Sequence, residues 1–164
     1  MTNEEYAQIL TDVQEKIAEI IRSVASAAKV YSRFVTDGDD AKWAALLRNA
    51  DSKIHALSVS LAGRGSVEKR LIPIGCMQPI LKFRIVGYYG YDFGTTTVNS
   101  EKKMRDELAA IDLTFEKLYD LDLANIVERH EGFLYDVKNS FLGANKMHIV
   151  PAGLQVQLNP ISIR

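Results

Sequence analysis

The chain has 164 residues, of which 47% are hydrophobic and 25% charged, the balance of an ordinary globular protein. Its 20 basic and 21 acidic side chains leave a formal charge of −1, which argues against a protein whose main partner is a polyphosphate. The single Cys76 makes an internal disulfide impossible, and three histidines leave little material for a Cys/His zinc site. No apolar run reaches the ~18–20 residues of a membrane span, and the acidic start Met1-Thr2-Asn3-Glu4-Glu5 is no signal peptide. The expectation is a soluble, intracellular protein forming a single domain over residues 1–164.

The first element is the clearest. Tyr6, Ile9, Leu10, Val13, Ile17, Ile20, Ile21 and Val24 recur at spacings of three and four, which places them on one stripe of a helix. Thr2 with Glu5 three residues on is a capping-box pattern, and Glu4 and Glu5 suit the positive end of the helix dipole. The small segment 23–29 reads as a continuation, for a helix about 38 Å long at 1.5 Å per residue, with one end projecting toward another packing partner.

Lys29–Val35 alternates and predicts a short strand. Asp37-Gly38-Asp39-Asp40 is a turn and helix cap, and 41–49 with Trp43, Leu46 and Leu47 predicts a short helix. Strand patterns follow over 54–62, 68–74 and 78–91, with a bend at Gly63-Arg64-Gly65-Ser66. Thr95–Asn99 supplies polar caps for a second long helix, running to about Leu113 with Met104, Leu108 and Ile111 inward. Two further strands are predicted over 126–137 and 149–158. With no regular alternation of strand and helix, this order predicts an α+β fold: a mainly antiparallel β-sheet flanked by α-helices, with a long N-terminal helix.

The candidate chemistry is sparse. Asp37, Asp39 and Asp40 lack the spread of oxygen ligands of a calcium loop, so capping is the better account. Gly63-Arg64-Gly65-Ser66-Val67-Glu68 lacks the third glycine of a phosphate loop and lies between two strand patterns, which favours a hairpin. His55, His130 and His148 belong to no HExxH or nucleophile-elbow pattern, and nothing marks Cys76 as an activated thiol. No catalytic residue, no metal ligand and no cofactor is therefore expected.

Gly87-Tyr88-Tyr89-Gly90-Tyr91-Asp92-Phe93-Gly94 is the most unusual stretch. Tyr88 and Tyr89 cannot face the same side of a sheet, so at least one is expected to meet solvent or a partner. Tyr88, Tyr89 and Tyr91 are thus interface candidates. So are Arg64, Lys69 and Arg70, read as cations at an exposed hairpin tip.

The run Val30-Tyr31-Ser32-Arg33-Phe34, the helix with Trp43, Leu46 and Leu47, and Lys53-Ile54 opening a strand together form a pattern. With the strand end Phe83-Arg84-Ile85-Val86-Gly87-Tyr88-Tyr89-Gly90, followed by a helix, it resembles the tail-terminator (tail-completion) group of double-stranded DNA bacteriophages. The resemblance spans roughly residues 5–115. It implies an antiparallel sheet flanked by helices and a virion protein with no active site, assembled in the host cytoplasm. The implied subunits form a ring, usually a hexamer, that caps the tail tube and joins it to the head–neck connector. The implied partners are other copies of the chain, the tail tube protein and the neck or connector protein, with DNA in the lumen as a further candidate and no membrane. Another neck or tail component, a small hydrolase and a small DNA-binding protein are the competing classes. A hydrolase would need His130 or His148 joined to a carboxylate and a nucleophile, and a DNA-binding protein would show steep salt dependence.

Overall fold

The computed structural model describes residues 1–94 and 97–164, and of Thr97 and Val98 the backbone alone. Helix α1 (Asn3–Val24) opens on the expected capping box, in which the Thr2 hydroxyl accepts from the Glu5 amide while Glu5 accepts from the Thr2 amide. That bond holds the Glu5 carboxyl below its usual range. The helix is shorter than expected. It stops at Val24, about 33 Å from its start at 1.5 Å per residue, and Ala25 caps it in a non-helical conformation. The small residues after Val24 offer little to pack, whereas Lys29–Tyr31 forms strand β1. Tertiary pairing wins over the local helix preference of that segment.

Asp39 caps helix α2 (Asp40–Leu47), its carboxylate accepting from the amides of Ala41 and Lys42. Strand β2 (His55–Ser66) runs on through the glycines to Ser66, so the expected bend at 63–66 is a correction. Gly63 pairs with Lys82 and Gly65 with Ile80, and the register shifts between Leu61 and Gly63. Here glycine marks a bulge inside a strand rather than a turn. The expected return strand over 68–74 is also absent. That stretch holds a 3₁₀ turn (Lys69–Leu71) ahead of the two-residue strand β3 (Cys76–Met77), and Pro73 interrupts any ladder between them. The return strand is instead β4 (Pro79–Gly90).

Helix α3 (Thr97–Lys117) outruns its expected end, and the expected caps Thr95 and Thr96 lie outside the described residues. Strands β5 (Val127–Tyr135) and β7 (Asn145–Leu158) answer the last two predicted strands; β6 (Lys138–Leu142) and the short β8 (Ile161–Ser162) were not anticipated.

The α+β expectation holds. The six-stranded sheet has the order β1-β2-β4-β7-β5 and is antiparallel except between β1 and β2. β6 also pairs with β7, along Asn145–Ile149, on the side away from β4. β3 and β8 form a separate small ladder.

Both faces of the sheet carry apolar cores. Under α1 and α3, Val13, Ile17 and Ile21 with Leu108, Ile111 and Phe115 pack on Leu57, Val59, Leu81, Phe83, Ile85 and Tyr89. On the opposite face α2 brings Ala44 and Leu47 onto Val35, Ile54, Ala56, Val86, Tyr88, Leu142 and Met147.

Candidate functional site

Adjacent tyrosines serve the two cores. Tyr89 is 0% exposed under the long helices, and Tyr88 is 4% exposed under α2. The two rings do point to opposite sides, as alternation requires, but both sides are covered. The expectation that one of them meets solvent or a partner is therefore corrected: Tyr88 and Tyr89 are core residues of the chain. Gly87 makes the first of these placements possible, because a Cβ there would lie 2.8 Å from Cε2 of Tyr89. Tyr91 is half-buried and lies on His148, with ring centroids 4.7 Å apart.

The Tyr89 hydroxyl ends in a polar cluster. It donates to Glu107 Oε1 at 2.8 Å, and His55 Nε2 lies 2.9 and 3.0 Å from the two oxygens of the same carboxylate. Phe93 closes the group, its ring centroid 4.7 Å from that of His55 and 5.5 Å from that of Tyr89. Burial pushes the Tyr89 hydroxyl well above its ordinary pKa, and the neighbouring carboxylate pushes it further. A shallow cavity beside the cluster is bordered by Lys53, Lys103 and Asp106. The arrangement resembles the base and orienting pair of a hydrolase, but apart from the buried Tyr89 hydroxyl no serine, threonine or cysteine side chain hydrogen-bonds to it among the described residues. Its visible work is to tie α3 to β2 and β4.

The other two histidines have different surroundings. His130 Nε2 donates to the carbonyls of Phe115 and Leu118 at 2.7 and 3.0 Å, closing the C-terminal end of α3. Burial lowers the pKa of His148, whose Nδ1 has no hydrogen-bond partner among the described residues. The required union of His130 or His148 with a carboxylate and a nucleophile is not found among the described residues. Cys76 is half-buried in β3, and no cluster of three His, Cys, Asp or Glu side chains among the described residues is placed to hold a metal. No helix among them is long and apolar enough to cross a membrane.

Arg64, Lys69 and Arg70 are exposed, but they do not share a hairpin tip. Arg64 stands on β2 opposite Leu81, its guanidinium 3.7 Å from the Met77 sulfur. Lys69 and Arg70 lie in the connection from Val67 to Gln78, where Arg70 pairs with Glu68 at 2.5 Å.

The margins of the main sheet went unnoticed in the sequence. β1 pairs with β2 only as far as Ser58, and the Val59 carbonyl accepts from Gln14 at 3.2 Å. From Leu61 to Ser66 the outer edge of β2 has no backbone partner among the described residues. At the opposite margin, the His130 amide donates to the Tyr119 carbonyl, but Leu134 to Phe141 along β5 and β6 has no outer partner among the described residues. Both open stretches carry apolar groups. Leu61 is 42% exposed, with Phe34 beside it at 55%; Leu134 is 78% exposed and Phe141 70%. Two open edges are invisible to a strand pattern, because periodicity reports faces and not neighbours.

No protein-family model and no curated protein matches the chain. Among solved structures it is similar to a chain of one described as "Virion of native gene transfer agent (GTA) particle". The identity is 11% and the TM-score 0.39, over 88% of this chain and 92% of that one.

Proposed function

We propose that the chain is a structural virion protein of the tail-terminator kind, a subunit of a ring that caps the tail tube and joins it to the neck. The observation that carries this reading is how the segments bearing the family resemblance pack. Tyr31, Trp43, Leu46, Leu47 and Tyr88 come from three separate stretches of sequence, yet they close on one another around the core under α2. The Tyr31 hydroxyl donates to the Leu46 carbonyl at 2.6 Å, and the rings of Trp43 and Tyr88 meet edge to face at 6.1 Å. These motif residues share one core, while Phe83, Ile85 and Tyr89 of the same strand end pack in the other. The partners on this reading are further copies of the chain, the tail tube protein and the connector, with Arg64, Lys69, Arg70 and Tyr91 among the contact residues.

The test is the mass of the purified chain, followed by electron microscopy alone and with tail tubes. A closed ring of mass six times 18.3 kDa that seats on tube ends supports the reading. A chain that forms no ring and adds to no tube contradicts it. So does DNA affinity with a steep salt dependence, which points to the competing class.

A further inference from the structure

We propose that the two open edges of the main sheet are each other's partners: Leu61–Ser66 of one copy pairs with Leu134–Phe141 of the next. The proposal rests on the ring reading above and supplies its joint. An open edge presents unpaired N–H and C=O groups, and the commonest occupant of such an edge is another strand. This subunit has one at each margin of the same sheet. The stretches are comparable in length, about 20 and 26 Å at ~3.3 Å per residue.

Strand direction agrees. β2, β4, β7 and β5 alternate in direction, so β2 and β5 run opposite ways within the subunit. Setting the β2 edge of one copy beside the β5 edge of the next continues that alternation without a break. The contact joins two different surfaces, so it is heterologous and repeats around a ring when the rotation closes.

Side chains agree as well. Each margin exposes apolar side chains that pairing would cover: Leu61 with Phe34 on one, and Leu134 and Phe141, on opposite faces of the β5–β6 edge, on the other. Charge permits the contact, since the bases on one margin would meet a margin of balanced sign. Arg33 and Arg64 flank the β2 edge; Glu131 and Asp136 flank the other, with Arg129 and Lys138 as the bases on that margin. None of these six forms an ion pair among the described residues. The bulge at Gly63 and the charge of Arg64 are also devices by which edge strands avoid promiscuous pairing, which here restricts the edge to a partner of the right shape.

The experiment blocks one edge at a time with lysines at exposed positions. Leu61→Lys with Ala62→Lys blocks the β2 edge, and Leu134→Lys with Phe141→Lys blocks the other; circular dichroism checks that both variants fold. Native mass spectrometry then reads the assemblies. The expected result is a closed oligomer for the unaltered chain and a monomer for each variant alone. An equimolar mixture of the two variants gives a dimer and nothing larger, because it holds one intact edge of each kind. Variants that keep the unaltered mass overturn the edge proposal while leaving the ring reading standing on another surface. A dimer from one variant alone shows an edge pairing with itself, and a mixture that stays monomeric shows that the edges do not fit; either result overturns it. An unaltered chain that remains a monomer at millimolar concentration and assembles on no tube end overturns both readings.

Discussion

The two cores are built in different ways. The one under α1 and α3 rests on two long helices whose apolar stripes recur every three or four residues, and it fills with large aliphatic side chains. The one under α2 rests on eight helical residues, of which only Ala44 and Leu47 are buried. It is completed by Val35, Tyr88, Leu142 and Met147, which come from distant parts of the chain. Local pattern defines the first core, whereas long-range packing defines the second. The first is expected to dominate stability, and the second to fix the geometry of one end of the sheet.

Removing a ring from the first core should cost most. Phe115 is fully buried, and Phe115→Ala is expected to destabilise the fold by about 3–5 kcal/mol, read as a shift of the urea midpoint. Glu107→Leu tests the polar tie on that same face. It leaves the Tyr89 hydroxyl and the His55 Nε2 buried without their partner, for an expected loss of about 2–4 kcal/mol. The second core should yield less: Trp43 is only half-buried, so Trp43→Ala is expected to cost about 2 kcal/mol, below the range for a fully buried ring. If Trp43→Ala costs as much as Phe115→Ala, the ranking of the two cores is wrong.

The smallest effect concerns pH. Burial holds the His148 pKa below its ordinary value of 6.5, so the unfolded chain binds the proton more readily than the folded one. That stability is present above about pH 6.5 and is lost as the pH falls through and below that value. His148→Gln should therefore flatten the pH dependence of the melting temperature between pH 7 and pH 5. An unchanged slope would remove His148 from the account.

The difference between the cores also explains what the sequence could reveal. The stripe from Tyr6 to Val24 and the Thr2–Glu5 box are local, and they predicted α1 up to the point where the pairing of Lys29–Tyr31 turned the chain. The Asp39 cap was legible for the same reason. Gly63 and Gly65 misled because glycine punctuates turns and bulges alike, and only the register with β4 separates the two. Tyr88 and Tyr89 misled because alternation sorts side chains by face without saying that α2 covers the second face. The union of His55, Tyr89 and Glu107 spans 52 residues and left no spacing to detect. The open edges were equally hidden, since an edge is defined by the strand that is missing beside it.

The central claim is that those edges meet, and hydrogen exchange followed against protein concentration tests it most directly. The account predicts that the outward-pointing amides within Leu61–Ser66 and Leu134–Phe141 exchange fast in dilute protein and gain protection together, in step with the rise in mass. Assembly that leaves both stretches exchanging at the dilute rate, or that protects one and not the other, would contradict it.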